Sequence, residues 1–223
     1  MDYVFHFDVF RNYAASFFQA CLLTFKLAGI CIVFTTVFGA ICGALLTSGS
    51  KVVKGVVKVY VEAFRLTPFL VQLLFFYFGI PLFLGIKISS SVAGVVTLSL
   101  NGAAYAAETF RAGFQSVPTT QMQAGLSLGY TKAQTYMRII FPQGLRIVLP
   151  SFISSVIEIF KDTSFFSIIG VTEATGQMRY AASMTYRNFE LFTILALFYL
   201  VCTTVIGQLG HMLERRLSRH KTS

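Results

Sequence analysis

This sequence predicts an all-α membrane protein with five transmembrane helices, and three observations predict it. Of its 223 residues, 55% are hydrophobic and 12% charged, a balance too apolar for a soluble domain of this length. Five apolar stretches each approach or exceed the ~20 residues that a helical crossing needs. Basic residues gather on alternate connections between those stretches, which gives the helices a direction. Strands are excluded as crossing elements, because an open strand in lipid leaves its backbone groups unpaired and no alternating barrel pattern is present.

Taken in order, residues 1–17 form an amphipathic lead-in, with Phe5, Phe7, Phe10 and Tyr13 as interfacial contacts. It carries Asp2 and Asp8 and no basic cluster, unlike a cleavable secretory signal. The expected crossings are 18–46, 60–82, 92–110, 147–169 and 191–209. In the second, Glu62 and Arg65 are spaced to pair, Pro68 bends or starts the buried helix, and Gln72 carries an amide that needs a partner if buried. The third is rich in Gly, Ala and Ser, which suits close helix approach in an interior position. Thr97, Asn101, Tyr105 and Glu108 step along one face of it, and Glu108 is spaced to pair with Arg111.

The fourth crossing holds Ser151, Ser154, Glu158, Lys161 and Asp162. An ionisable group at membrane depth is a functional candidate, because burying it against lipid costs several kcal/mol. Glu158 and Asp162 share a face one turn apart, and Lys161 can neutralise one of them but not easily both. The connection 170–188 is polar, containing Glu173, Gln177, Arg179, Tyr186 and Arg187, and reads as a solvated connector or as a contact for an external protein. Residues 211–223 form a basic tail suited to the inner leaflet.

Twelve Lys and Arg residues lie on or flank the first and third connections and the tail: Lys51, Lys54, Lys58, Arg65, Arg111, Lys132, Arg138, Arg146, Arg215, Arg216, Arg219 and Lys221. Four, Arg11, Lys87, Arg179 and Arg187, fall on the other side. Short cytoplasmic loops are Lys/Arg-rich, so the N-terminus is expected outside and the C-terminus in the cytoplasm. The net charge of +9 is thereby assigned to the membrane surface and not to nucleic acid. Cys21, Cys31, Cys42 and Cys202 lie in apolar runs without metal-ligand spacing, so they read as small buried hydrophobes, and no metal site is expected.

Between the third and fourth crossings lies a polar island, 113–146, on the cytoplasmic side. Gln121, Met122, Gln123, Ala124 and Leu126 favour helix, Gly129 stops it, Thr131 caps a second amphipathic run, and Pro142 ends that run. Two short helices joined at a glycine make a knob suited to docking on another protein.

Gln123, Ala124 and Gly125, then Gly129 after three residues, Ile139 after nine more, and Phe141–Pro142 one residue on, resemble the EAA loop of the membrane subunits of bacterial ABC importers. Spacing matches throughout. Gln123 stands where the pattern has Glu, Gly125 where it has the second Ala, and Phe141 where it has Leu. The run FRLTPFLVQL at 64–73, with Leu66 in place of a usual Gly, and the KDTS run at 161–164 are similar to the polar amino acid branch of these permeases.

The resemblance implies a type I importer (MetI-like) permease fold over 18–210, in a multi-pass subunit of the bacterial cytoplasmic (inner) membrane. It implies an ABC ATPase dimer, docked at Gln123, Ala124, Gly125, Gly129, Ile139 and Pro142, which binds ATP and Mg while this chain carries no cofactor. An extracytoplasmic solute-binding protein and a second permease copy, identical or sister, are the other implied partners, and a polar amino acid is the implied solute. Asp162, helped by Glu158, is the candidate contact for its ammonium or cationic side chain, with Thr163 and Ser164 beside them. Asn101, Gln72 and Tyr105 complete the candidate path.

The chain has no phosphate-cradling GxxxxGK[ST] pattern, so it is not itself the ATPase. The alternative is an ion-coupled secondary transporter or channel using Glu158 and Asp162; no inverted repeat of spans supports it. A membrane-embedded metallohydrolase is not supported, because the chain has no HExxH pattern and His6, His211 and His220 all lie outside the expected crossings.

Overall fold

The computed structural model describes residues 4–47 and 49–218, and among them every regular element is helical. Asp2 of the lead-in and Arg219 and Lys221 of the tail lie outside the described residues. A short 3-10 turn, Phe7–Val9, leads into α1, Phe10–Leu46. Then follow α2, Lys51–Leu66; α3, Phe69–Leu84; α4, Ser90–Gln115; α5, Thr119–Ser127; α6, Lys132–Ile169; α7, Ala174–Thr185; and α8, Asn188–Ser218.

Three stretches, Phe7–Leu46, Lys132–Ile169 and Asn188–Arg216, are long and apolar enough to cross a membrane, and α2 with α3 make a fourth if counted as one broken span. The break at Thr67–Pro68 divides the expected second crossing. Proline lacks an N–H and pushes the residue before it out of the helical region, and both residues are extended here. Glu62 pairs with Lys58 at 3.5 Å and not with Arg65.

Prolines 81 and 142 behave differently. Each follows a π turn, Phe75–Gly79 and Tyr136–Ile140, in which the helix widens just before the proline. That widening accommodates the missing donor and the bulk of the ring, so the helix continues. Pro142 therefore does not end the second amphipathic run; the run passes directly into the fourth crossing as one helix, α6.

The chain divides into two units. One takes in the residues through Val33, Pro68–Ser99 and Ile157–Ile206. Leu27 and Cys31 of α1 pack there with Leu73, Leu98, Ile159 and Phe166. A second cluster joins Phe17 and Cys21 of α1 to Met178, Ala181, Leu191 and Leu195. Phe10 and Tyr13 pack against this second cluster, so the last part of the expected lead-in is the opening of α1. The beginnings of α1 and α8 lie side by side: the His6 N–H donates to Glu190 Oε1 at 3.0 Å, and Arg187 Nη1 donates to Val4 O at 3.0 Å. Phe17 and Phe25 of α1 both meet Phe198 of α8.

The other unit takes in Phe34–Thr67, Leu100–Val156 and the chain from Gly207 on. Ala103, Ala104, Ala106 and Ala107 of α4 are all fully enclosed, as the small-residue composition of that helix predicts. Cys42, Val57 and Val61 surround Ala107, and Phe110, Phe114 and Val148 surround Ala106. Cys21, Cys31 and Cys42 are buried and unpaired as thiols, and Cys202 is half-buried.

Candidate functional site

The polar island folds as two helices with a four-residue joint, Leu128 to Thr131. Gly129 adopts φ +81°, which glycine enters without the penalty a Cβ would bring. Its N–H donates to Leu126 O at 3.0 Å and the next N–H, of Tyr130, to Gly125 O at 3.1 Å. These two bonds close the end of α5 as a Schellman motif. Thr131 then opens α6 with a reciprocal cap: Gln134 N–H donates to Thr131 Oγ1 at 3.2 Å and Thr131 N–H to Gln134 Oε1 at 2.9 Å. Both ends of the joint are thus hydrogen-bonded within a few residues, and the knob is rigid where it turns.

Gly125 faces Thr135, which is 0% exposed. A Cβ on Gly125 would overlap the Thr135 methyl and stand 2.7 Å from its Oγ1. The family pattern, with Ala at this place, leads one to expect room for a side chain and a milder effect of substitution than at Gly129. The structure reverses that order on packing grounds: nothing lies within 4 Å of a Cβ at Gly129, where only the backbone angle objects. Gln123 and Ala124 are on the surface, and so are Leu126, Leu128 (74% exposed), Met137 and Phe141. Ile139 is half-buried and Pro142 exposed. The Arg138 guanidinium lies 5.5 Å from the centre of the Tyr130 ring. Leu126, Leu128, Met137 and Phe141 are thus exposed apolar side chains on the joint and the two helices that flank it.

In the first unit, Glu158, Lys161 and Asp162 fall on the last turns of α6 before it tightens into a 3-10 run, Thr163–Ile169. Glu158 and Lys161 are exposed and Asp162 half-buried. Among the described residues no ion pair joins Lys161 to either carboxylate, so the lysine does not neutralise them by contact. Thr163 is buried, its hydroxyl donating to Phe160 O at 2.7 Å, and Ser164 is half-buried, its carbonyl taking the Ser167 hydroxyl at 2.8 Å. Gln72 is buried in α3 within the same unit.

Asn101 and Tyr105 belong to the second unit and serve the end of α2. Asn101 Nδ2 donates to Phe64 O at 3.3 Å and the Tyr105 hydroxyl to Arg65 O at 3.4 Å. Tyr60 Oη of α2 donates back to Leu100 O at 2.6 Å. The carbonyls of a final helical turn have no partner within the helix, and Asn101 supplies one beside the proline break. We expect Asn101→Ala to destabilise the protein by about 1 kcal/mol, the ordinary net contribution of one hydrogen bond. A lower thermal midpoint with unchanged solute affinity is the predicted pair of readings. Glu108 pairs with Arg111 as its spacing predicts, with Arg111 Nε donating to Oε2 at 2.9 Å.

Glu173 is the residue the sequence misrepresents. It sits in the polar connection, yet its side chain is 0% exposed. Its carboxylate accepts from Thr175 N–H and Gly176 N–H, both at 2.9 Å, as the N-cap of α7, and from the Thr24 and Tyr199 hydroxyls at 3.4 Å. Burial pushes its carboxyl up to about 7, against the lowering effect of those four donors. The connection is consequently not a solvated tether: α7 is a packed helix whose Ala174, Met178 and Ala181 are fully enclosed.

Residues 35–219 match the family described as binding-protein-dependent transport system inner membrane component. The chain is 36% identical over 203 residues to the probable amino-acid permease protein YxeN of Bacillus subtilis, covering 90% of this chain and 91% of that one. It is 36% identical over 182 residues to the glutamine transport system permease protein GlnP of Escherichia coli, covering 81% and 83%. The crystal structure of an amino acid ABC transporter with histidines superposes with a TM-score of 0.90 at 34% identity, covering 96% of this chain and all of that one. An inward-facing MetNI methionine ABC transporter shares the fold, with a TM-score of 0.72 at 21% identity. These likenesses disfavour an ion-coupled carrier. With its jointed knob and its helical body both matched, the chain belongs to the family of binding-protein-dependent transport system inner membrane components.

Proposed function

We propose that this chain is the permease subunit of an ATP-driven importer of a polar amino acid, docked through its knob to separate ATPase subunits that bind ATP and Mg. The observation that carries the proposal is the Gly129 joint. It is a doubly capped, stiff connection presenting Leu126, Leu128, Met137 and Phe141 outward, on a helix that continues without interruption to Asp162. A stiff handle transmits displacement, whereas a floppy one absorbs it. ATP-driven closure of the two ATPases moves a pair of such handles, on this chain and on an identical or sister permease. The body then opens outward to receive solute from an extracytoplasmic binding protein, and hydrolysis resets it. The solute class follows from the named relatives, and Asp162 with Glu158 supplies the anionic contact for its ammonium, with Thr163, Ser164 and Gln72 in the same unit as polar neighbours.

Five crossings with the N-terminus outside remain the arrangement we favour. The adjacent starts of α1 and α8 support the part of it that matters for docking: two spans that begin at one surface both finish at the other. The basic residues beside the knob then put knob and C-terminus together in the cytoplasm.

Gly129→Glu tests the docking. A side chain there strains the backbone by roughly 1–2 kcal/mol and sets an acid at the joint without touching the spans. The variant is expected to insert normally and to lose co-purification of the ATPase along with solute-stimulated ATP hydrolysis. An intact, fully stimulated complex carrying this substitution would refute the handle.

A further inference from the structure

A buried carboxylate normally has a cation beside it or works as a neutral acid. Among the described residues, no Lys, Arg or His lies within ion-pair distance of Glu173, although the side chain is wholly enclosed. The groups facing it can be named from each element. From α1 come Thr24 and Cys21, and from α8 comes Tyr199. From its own side come the Thr175 and Gly176 N–H groups. Arg179 of α7 turns elsewhere, to Ser167 Oγ at 3.3 Å.

The node is connected further. The Thr24 hydroxyl, which also reaches Ala20 O at 3.0 Å, accepts from Ala174 N–H at 3.0 Å. Tyr199 Oη lies 3.1 Å from Thr175 Oγ1 and interacts with the side chain of Thr163, the neighbour of Asp162. Its ring packs on Phe160, two residues before Asp162. One carboxyl thus holds together α1, α7 and α8, and through Tyr199 it reaches the segment that bears the proposed solute contact.

We propose that Glu173 is a proton-carrying positioning residue: neutral, it donates to Thr24 or Tyr199 and holds the Asp162–Thr163 segment in place; ionised, it is a buried charge without a counter-ion and the segment loosens. The inference rests on the transport-path reading for its link to uptake, but not for its link to stability. A folded-state pKa near 7, above that of the unfolded chain, makes stability highest below the unfolded value and lost as pH rises through 7.

The test compares wild type, Glu173→Gln and Glu173→Ala in the assembled, purified complex. Thermal midpoints are measured from pH 5.5 to 8.5, and uptake of labelled amino acid from proteoliposomes over the same range. Gln keeps an acceptor for the Gly176 N–H and a donor for the hydroxyls while removing the proton, and gives up the acceptor that Oε2 offers the Thr175 N–H. Its midpoint is expected to stay level from pH 6 to pH 8, a range over which wild type drops by several degrees. Ala is expected to raise the KM roughly tenfold, the equivalent of one hydrogen bond of ordinary strength, with a smaller change in maximal rate. A Gln variant that retains the wild-type pH slope overturns the proposal, even if Ala does not assemble. So does an Ala variant with native KM. Normal uptake by Asp162→Asn sinks the transport-path reading instead and leaves the stability comparison standing.

Discussion

Asp162→Asn will reduce ATP-driven uptake about a hundredfold, the equivalent of the ~3 kcal/mol that a hydrogen bond between charged groups contributes, while the subunit still assembles in the membrane. The asymmetry follows from what the carboxylate touches. No ion pair ties it to Lys161 among the described residues, so an isosteric amide removes charge without orphaning a partner. Glu158, one turn earlier and exposed, is the second anionic group on the same face, and on the path proposed above it stands a turn away from the point where α6 tightens into its 3-10 run. Glu158→Gln should accordingly weaken uptake less than Asp162→Asn. Uptake assays in proteoliposomes, with membrane yield as the control, decide it; native kinetics in the Asp162 variant would remove the residue from the path.

Gly125→Val is expected to detach the ATPase more completely than the same change at an exposed neighbour such as Ala124. Its side chain would overlap Thr135, which is enclosed and whose hydroxyl is bound to Thr131 O at 3.0 Å. Thr131 is the cap of α6, so pushing Thr135 moves the joint itself. Overpacking of this kind costs about 1–3 kcal/mol, enough to loosen a two-helix knob with little core of its own. The milder double change Gly125→Ala with Thr135→Ala provides the control: deleting the Thr135 hydroxyl and methyl removes the two closest contacts and leaves only its Cβ, 3.0 Å away, and a helical threonine bonded to its own backbone loses little in becoming alanine. Co-purification of the ATPase should fall in Gly125→Val, fall less in Gly125→Ala, and return in the double variant. A single Gly125→Val variant that binds the ATPase at wild-type strength would show that the close approach is unimportant.

What the sequence disclosed, it disclosed through local rules. The stop at Gly129 and the Thr131 cap are decided within four residues, and the interior place of α4 follows from its alanines. Partners distant along the chain stayed hidden. Gly125 has its neighbour ten residues away on another helix, Asn101 finds its acceptor at Phe64, and Glu173 finds Thr24 at a separation of 149. Hydrophilic composition made the segment around Glu173 look solvated, because composition records polarity and not whether donors are waiting to meet it. The prolines give the sharpest case. Pro68 breaks its helix and Pro142 does not, and the difference lies in a widened turn ahead of the second, which no residue preference announces.

The adjacent starts of α1 and α8 bear on how two such subunits can be joined. On the topology we propose, the start of α1 and the end of α8 emerge into different compartments. A single gene encoding two copies in tandem could not link them by a flexible peptide; it would need an additional hydrophobic helix to carry the polypeptide back across. Pairing between independently made chains avoids that insertion altogether.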